Sequence, residues 1–162
     1  VQIWSTLFGH PLEPYPCLIR FAPDDRSFAQ HVLERGQAKG LRCWLDELPA
    51  APSDRKQRNS PTSYESNQRV LLCLSKASLS SWWIADEIDR ILEREVQIKE
   101  QTGRDTRLLF PLSLDGFLFS GDFKHAQEKR LAKTLTDFVG WRRNQEKFDQ
   151  EFAKLIQTMT EK

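Results

Sequence analysis

Arg69-Val70-Leu71-Leu72-Cys73-Leu74 reads as a β-strand with apolar side chains on both faces. A strand that faces water on neither side belongs inside a parallel sheet covered by helices. The following run, Ser78-Leu79-Ser80-Ser81-Trp82-Trp83-Ile84-Ala85-Asp86-Glu87, opens a helix from about Ser81, with Ser80 or Ser81 as its cap. The apolar stripe of Ile84, Ile88, Ile91, Leu92 and Ile98 carries that helix to about Gln101, and Gly103 ends it.

Upstream, Pro16-Cys17-Leu18-Ile19-Arg20-Phe21 is a first strand. Asp24 or Asp25 then caps a helix running to about Lys39, with Phe28, Val32 and Leu33 on one face. Gly36 inside it costs about 1 kcal/mol relative to alanine. Gly40 stops it, and Leu41-Arg42-Cys43-Trp44-Leu45 is the second strand. Residues 46–68 are the least regular part of the chain. They hold Pro49, Pro52 and Pro61, and read mostly as loop with at most a short helix over 54–59.

Downstream, Arg107-Leu108-Leu109-Phe110-Pro111-Leu112 is a fourth strand. Residues 113–130 read as loop with at most one short helix, and 134–139 as a weaker fifth strand. A last helix starts near Asn144, where Phe148, Phe152, Leu155, Ile156 and Met159 recur at helical spacing. Strands alternating with helices predict an α/β fold around a parallel sheet with right-handed crossovers. Ligands in such sheets bind beyond the carboxyl ends of the strands. That directs attention to residues 21–25, 46–49 and 75–87.

The 162 residues suit one domain. A net charge of +1 argues against a dedicated nucleic-acid binder and against a polybasic membrane-surface module. No apolar run approaches the roughly 20 residues of a membrane-spanning helix. The 3 cysteines, Cys17, Cys43 and Cys73, sit in or beside apolar runs without CxxC spacing. They read as buried, reduced thiols, which favours a cytoplasmic setting.

Several chemistries are missing from the sequence. It has no GxGxxG after the first strand, no GxxxxGK[ST] and no GxSxG. His10, His31 and His125 are scattered without metal-ligand spacing, so no metal site is expected. Asp24-Asp25 resembles the metal-binding acidic pair of response-regulator receivers. The third strand, however, ends Leu74-Ser75-Lys76 without the acceptor aspartate, and helix capping is the simpler role.

Trp83 and Glu87 stand four apart, on one face near a helix start. An aromatic plane beside a carboxylate at the mouth of a sheet can hold a sugar, and the carboxylate can stabilise an oxocarbenium ion. The plainer alternative makes Trp83 core and Glu87 a solvated helix charge.

From Cys17 to Met159 the chain resembles a bacterial Toll/interleukin-1 receptor (TIR) domain. Cys17-Leu18-Ile19-Arg20-Phe21-Ala22-Pro23-Asp24-Asp25 carries the resemblance, with Gly40-Leu41-Arg42-Cys43-Trp44-Leu45-Asp46, the third strand, residues 81–87, Leu109-Phe110-Pro111-Leu112 and Asp137-Phe138-Val139-Gly140-Trp141. It implies a flavodoxin-like five-stranded parallel sheet with helices on both faces, over residues 17–160. Residues 1–16 look like a connector from an upstream module, such as the pentapeptide repeats of some TIR proteins. It further implies cleavage of NAD⁺ at the nicotinamide–ribose bond to nicotinamide and ADP-ribose or a cyclic isomer. Glu87 falls at the catalytic position and Trp83 at the preceding tryptophan. Phe21, Ala22 and Asp46 fall at positions near the nucleotide. NAD⁺ is then substrate rather than cofactor, and the partners are further TIR domains by self-association. A TIR scaffold without catalysis is the alternative.

The sequence departs from the family pattern in three places. The 48–64 loop has three prolines and no glycine. Ala22 stands where serine is frequent. Arg20 stands where a small polar residue is common, and is expected to face solvent, with contact to a phosphate as the alternative.

Overall fold

The computed structural model describes residues 17–48 and 69–160. The strands are β1 (Cys17–Phe21), β2 (Cys43–Glu47), β3 (Arg69–Leu74), β4 (Leu109–Ser113) and β5 (Thr136–Asp137). They form one parallel sheet in the order β2-β1-β3-β4-β5. The helices are α1 (Arg26–Ala38), α2 (Lys76–Leu79), α3 (Ile84–Thr102), α4 (Glu128–Thr134) and α5 (Gln145–Thr160). This is the expected flavodoxin-like α/β architecture.

Alternation along the buried strands divides the core in two. Cys17, Ile19 and Phe21 of β1, with Leu71 and Cys73 of β3, pack against Phe28 and Val32 of α1 and Phe148, Phe152 and Leu155 of α5. Val70, Leu72 and Leu74 of β3 face the other way, onto Trp83, Ile84, Ile88, Ile91 and Leu92 of the α3 layer. Both layers are apolar, which is why β3 reads as an uninterrupted apolar run.

Local hydrogen bonding moves several expected boundaries. Leu41 N–H donates to Gly36 C=O at 2.9 Å, so Leu41 completes the end of α1 and β2 begins at Cys43. Gly36 is required by close packing: a Cβ there would lie 3.1 Å from Cys43 Sγ and 3.3 Å from Leu41 Cδ1. The Asp25 carboxylate does not cap α1. It accepts a hydrogen bond from Ser75 Oγ at 2.5 Å, and Pro23–Asp25 forms a 3₁₀ turn before the helix. Neither Ser80 nor Ser81 caps the long helix. Ser75 and Ser78 form a reciprocal capping box that starts the short α2, Ser81 Oγ donates to Ala77 C=O, and α3 begins only at Ile84.

The fourth strand starts at Leu109 because the Leu108 and Leu109 N–H groups donate to the Glu95 carboxylate, at 2.8 and 2.9 Å. The 113–130 stretch contains a 3₁₀ turn, Phe117–Phe119, and the start of α4. Because α4 runs to Thr134, β5 shrinks to two residues paired with Leu112 and Ser113. Pro111, opposite Leu72 of β3, therefore lies below the pairing with β5.

Cys17, Cys43 and Cys73 are free and buried. Cys17 and Cys43 are register partners in β1 and β2, a proximity their separation in sequence hides. Their mutual hydrogen bond raises the Cys17 thiol, aided by burial, and lowers that of Cys43. Burial raises Cys73. No helix among the described residues is long and apolar enough to cross a membrane. Residues 1–16 and 49–68, which include the expected connector and the three loop prolines, lie outside the described residues.

Candidate active site

At the carboxyl ends of β1 and β2, charged groups converge on the α3 side of the sheet. Leu18, Arg20 and Ala22 share one face by alternation. Leu18 and Ala22 are apolar, and Arg20 brings a guanidinium into the same buried layer. Its side chain has 0% exposure, which corrects the expectation that it faces solvent. The reason is geometric: β1 is covered on both faces, so neither face offers water.

The buried cation is balanced by two carboxylates. Arg20 Nε donates to Asp46 Oδ2 at 2.9 Å, and Arg20 Nη1 donates to Glu87 Oε2. Asp46 is the register partner of Arg20 on β2, which places its side chain alongside. Glu87 comes from the first turns of α3, where its N–H bonds to Trp83 C=O at 3.0 Å. A carboxylate so placed is favoured by the helix dipole.

Glu87 is only 4% exposed, so it is a buried ion-pair partner and not a solvated helix charge. The adjacent tryptophans divide: Trp82 is 39% exposed, whereas Trp83 is 4% exposed and packed in the α3-side core. The structure thus gathers Ala22, Asp46, Trp83 and Glu87 on one side of the sheet. Phe21 belongs to the opposite core cluster, fully buried, with the Arg26 guanidinium 5.6 Å from its ring centroid. Arg20 is the residue that sequence reasoning misplaced. Its position two residues from Leu18 and from Ala22 carried the signal.

A second polar group lies between the ends of β1 and β3. Asp25 accepts from Ser75, while Asp115 accepts from Lys76 N–H at 2.9 Å and Phe117 N–H at 3.0 Å. Burial raises the Asp25 carboxyl above its ordinary 3.8, opposed by the Ser75 hydrogen bond and reinforced by the charges of Asp115 and Asp24. Among the described residues no group of three or more His, Cys, Asp or Glu side chains is arranged to hold a metal ion.

Residues 18–156 match the family model described as TIR domain. The chain is also similar to a protein named NAD(+) hydrolase TcpA from Theionarchaea archaeon (strain DG-70-1). The two are 28% identical over 87 residues, which is 53% of this chain and 26% of that protein. The chain thus matches about a quarter of that relative's length.

Proposed function

Because the chain belongs to the TIR domain family, we propose that it cleaves NAD⁺ at the nicotinamide–ribose bond. The observation that carries this reading is the pairing of Trp83 and Glu87, one helical turn apart and buried beside the carboxyl end of β1. The similarity to a protein named as an NAD(+) hydrolase supports it.

In the proposed reaction the Glu87 carboxylate binds the hydroxyls of the nicotinamide ribose. The bond between ribose C1′ and the pyridinium nitrogen breaks, and its electron pair leaves with neutral nicotinamide. Positive charge builds on the ribose ring, where a fixed carboxylate stabilises it. Water adds to C1′ and loses a proton, giving ADP-ribose, or an adenine nitrogen captures the same centre to give a cyclic isomer. Asp46 and Ala22 flank the nucleotide in this reading, and Phe21 closes the end of β1. Self-association with further TIR domains raises the activity.

The test is incubation of concentrated protein with NAD⁺, followed by chromatography of nicotinamide, with Glu87→Ala as control. Release that Glu87→Ala abolishes is the expected result. No release under crowding refutes cleavage, and equal release from the variant refutes the role of Glu87. One observation favours a second reading: the Glu87 carboxylate is engaged by Arg20, which suits a TIR scaffold that binds other TIR domains without catalysis. Light scattering over a concentration series then reports mass growth with no nicotinamide formed.

A further inference from the structure

The proposed chemistry needs the Glu87 carboxylate at a sugar, yet a cation from the same chain already holds it. Arg20 joins three elements: its own strand β1, Asp46 on β2 and Glu87 on α3. Two carboxylates share one guanidinium. The acceptors are unequal in setting. The Glu87 side chain is 6% exposed and the Asp46 side chain 24%.

The fork of the guanidinium allows a second arrangement, with one acceptor kept and the other given up. A guanidinium stripped of all counter-charge in the interior would be costly. Here the bond from Nε to Asp46 persists if Nη1 gives up Glu87, so the cation stays compensated. With Nη1 on Glu87, a ribose hydroxyl must compete against a charge-assisted hydrogen bond. The same guanidinium also opposes positive charge developing on the ribose.

We infer that Arg20 is a latch on Glu87: NAD⁺ makes its ribose contacts to that carboxylate only after Arg20 releases it and stays on Asp46. This rests on the reading of Glu87 given under Proposed function. Arg20 acts through Glu87 and is a positioning residue. The latch reduces apparent affinity by the fraction of molecules in the released state, which for a minor conformer is about 10% or less.

The experiment compares the full chain with Arg20→Gln and Arg20→Lys, each checked by thermal melting. Gln is neutral and can still bond Asp46. Lys keeps the charge as a single point that cannot bridge both acceptors as a fork does. NAD⁺ binding is measured by calorimetric titration, alongside nicotinamide release. Arg20→Gln is expected to bind NAD⁺ about tenfold more tightly than the parent, with Arg20→Lys between them. Adding Glu87→Gln cancels the gain. Asp46→Asn weakens binding more in the parent, where it also frees Arg20 to stay on Glu87, than beside Arg20→Gln.

Unchanged or weaker binding in whichever Arg20 variant melts cooperatively overturns the latch, even if the parent cleaves NAD⁺. Tighter binding with no nicotinamide from any protein upholds the latch and refutes cleavage. Equal loss from Asp46→Asn in both backgrounds overturns the two-acceptor scheme.

Discussion

Replacing Glu95 by alanine tests how α3 is fastened to the sheet. Glu95 is 8% exposed. Its Oε2 accepts from the N–H groups of Leu108 and Leu109, at 2.8 and 2.9 Å, and its Oε1 accepts from Arg130 Nη2 at 2.6 Å. Truncation leaves two backbone donors without their acceptor, and an orphaned buried donor costs about 1–3 kcal/mol. The Arg130 side chain is 49% exposed, so its share is small, at most about 1 kcal/mol. The expected loss for Glu95→Ala is therefore about 3 kcal/mol, or about 6–12 °C in Tm for a domain of this size. Glu95→Gln keeps one carbonyl oxygen for the two N–H groups and gives up only the charge toward Arg130. It should lose about 1 kcal/mol. Urea unfolding of both variants with an unchanged m-value is the assay. Equal losses in the two, or less than about 1 kcal/mol for Glu95→Ala, would refute the view that the backbone bonds dominate.

Gly36→Ala should destabilise by about 1 kcal/mol, since overpacking against Cys43 Sγ outweighs the gain in helix propensity. In a Cys43→Ala background the same change should become neutral or stabilising, and a loss of equal size there contradicts the packing argument. Asp25 predicts a pH effect. Its folded-state pKa is raised, so the folded form holds its proton more tightly than the unfolded chain. The contribution of Asp25 is complete below about 3.8 and is lost as pH rises through the higher folded value. The Tm of Asp25→Asn should therefore gain on the parent as pH is raised from 3.8, and a constant difference across that range would show that Asp25 titrates normally.

The sheet was legible in the sequence because β1, β3 and β4 are buried on both faces, which makes them near-continuous apolar runs. Helix starts were less legible. Asp25 and Ser81 have capping chemistry, but Asp25 bonds Ser75 at the end of β3 and Ser81 bonds back to Ala77. The true cap, Ser75 with Ser78, lacks the acidic third residue of the usual box. In the candidate site, helical spacing paired Trp83 with Glu87, and the structure joins Ala22 and Asp46 to them. Arg20 was misjudged because its charge was weighed before its place in the strand. A long cation on a doubly covered strand must find counter-charge inside, and the carboxylates at 46 and 87 supply it.

The outer side of β4 has a further consequence. Alternate residues of a strand turn their backbone polar groups to opposite sides. Leu108 C=O accepts from Val70 of β3, so Leu109, Pro111 and Ser113 turn theirs toward β5. Each is disabled as a template in its own way. Glu95 takes the Leu109 N–H, Arg107 Nε donates to the Leu109 carbonyl at 3.1 Å, Pro111 has no N–H, and Phe138 N–H occupies the Ser113 carbonyl at 2.8 Å. A foreign strand arriving beside β4 finds almost nothing to zip onto, so this border resists amyloid-like growth without the repulsion of a strongly charged edge. If copies of this chain assemble by adding strands, this stretch of β4 offers them little backbone to pair with.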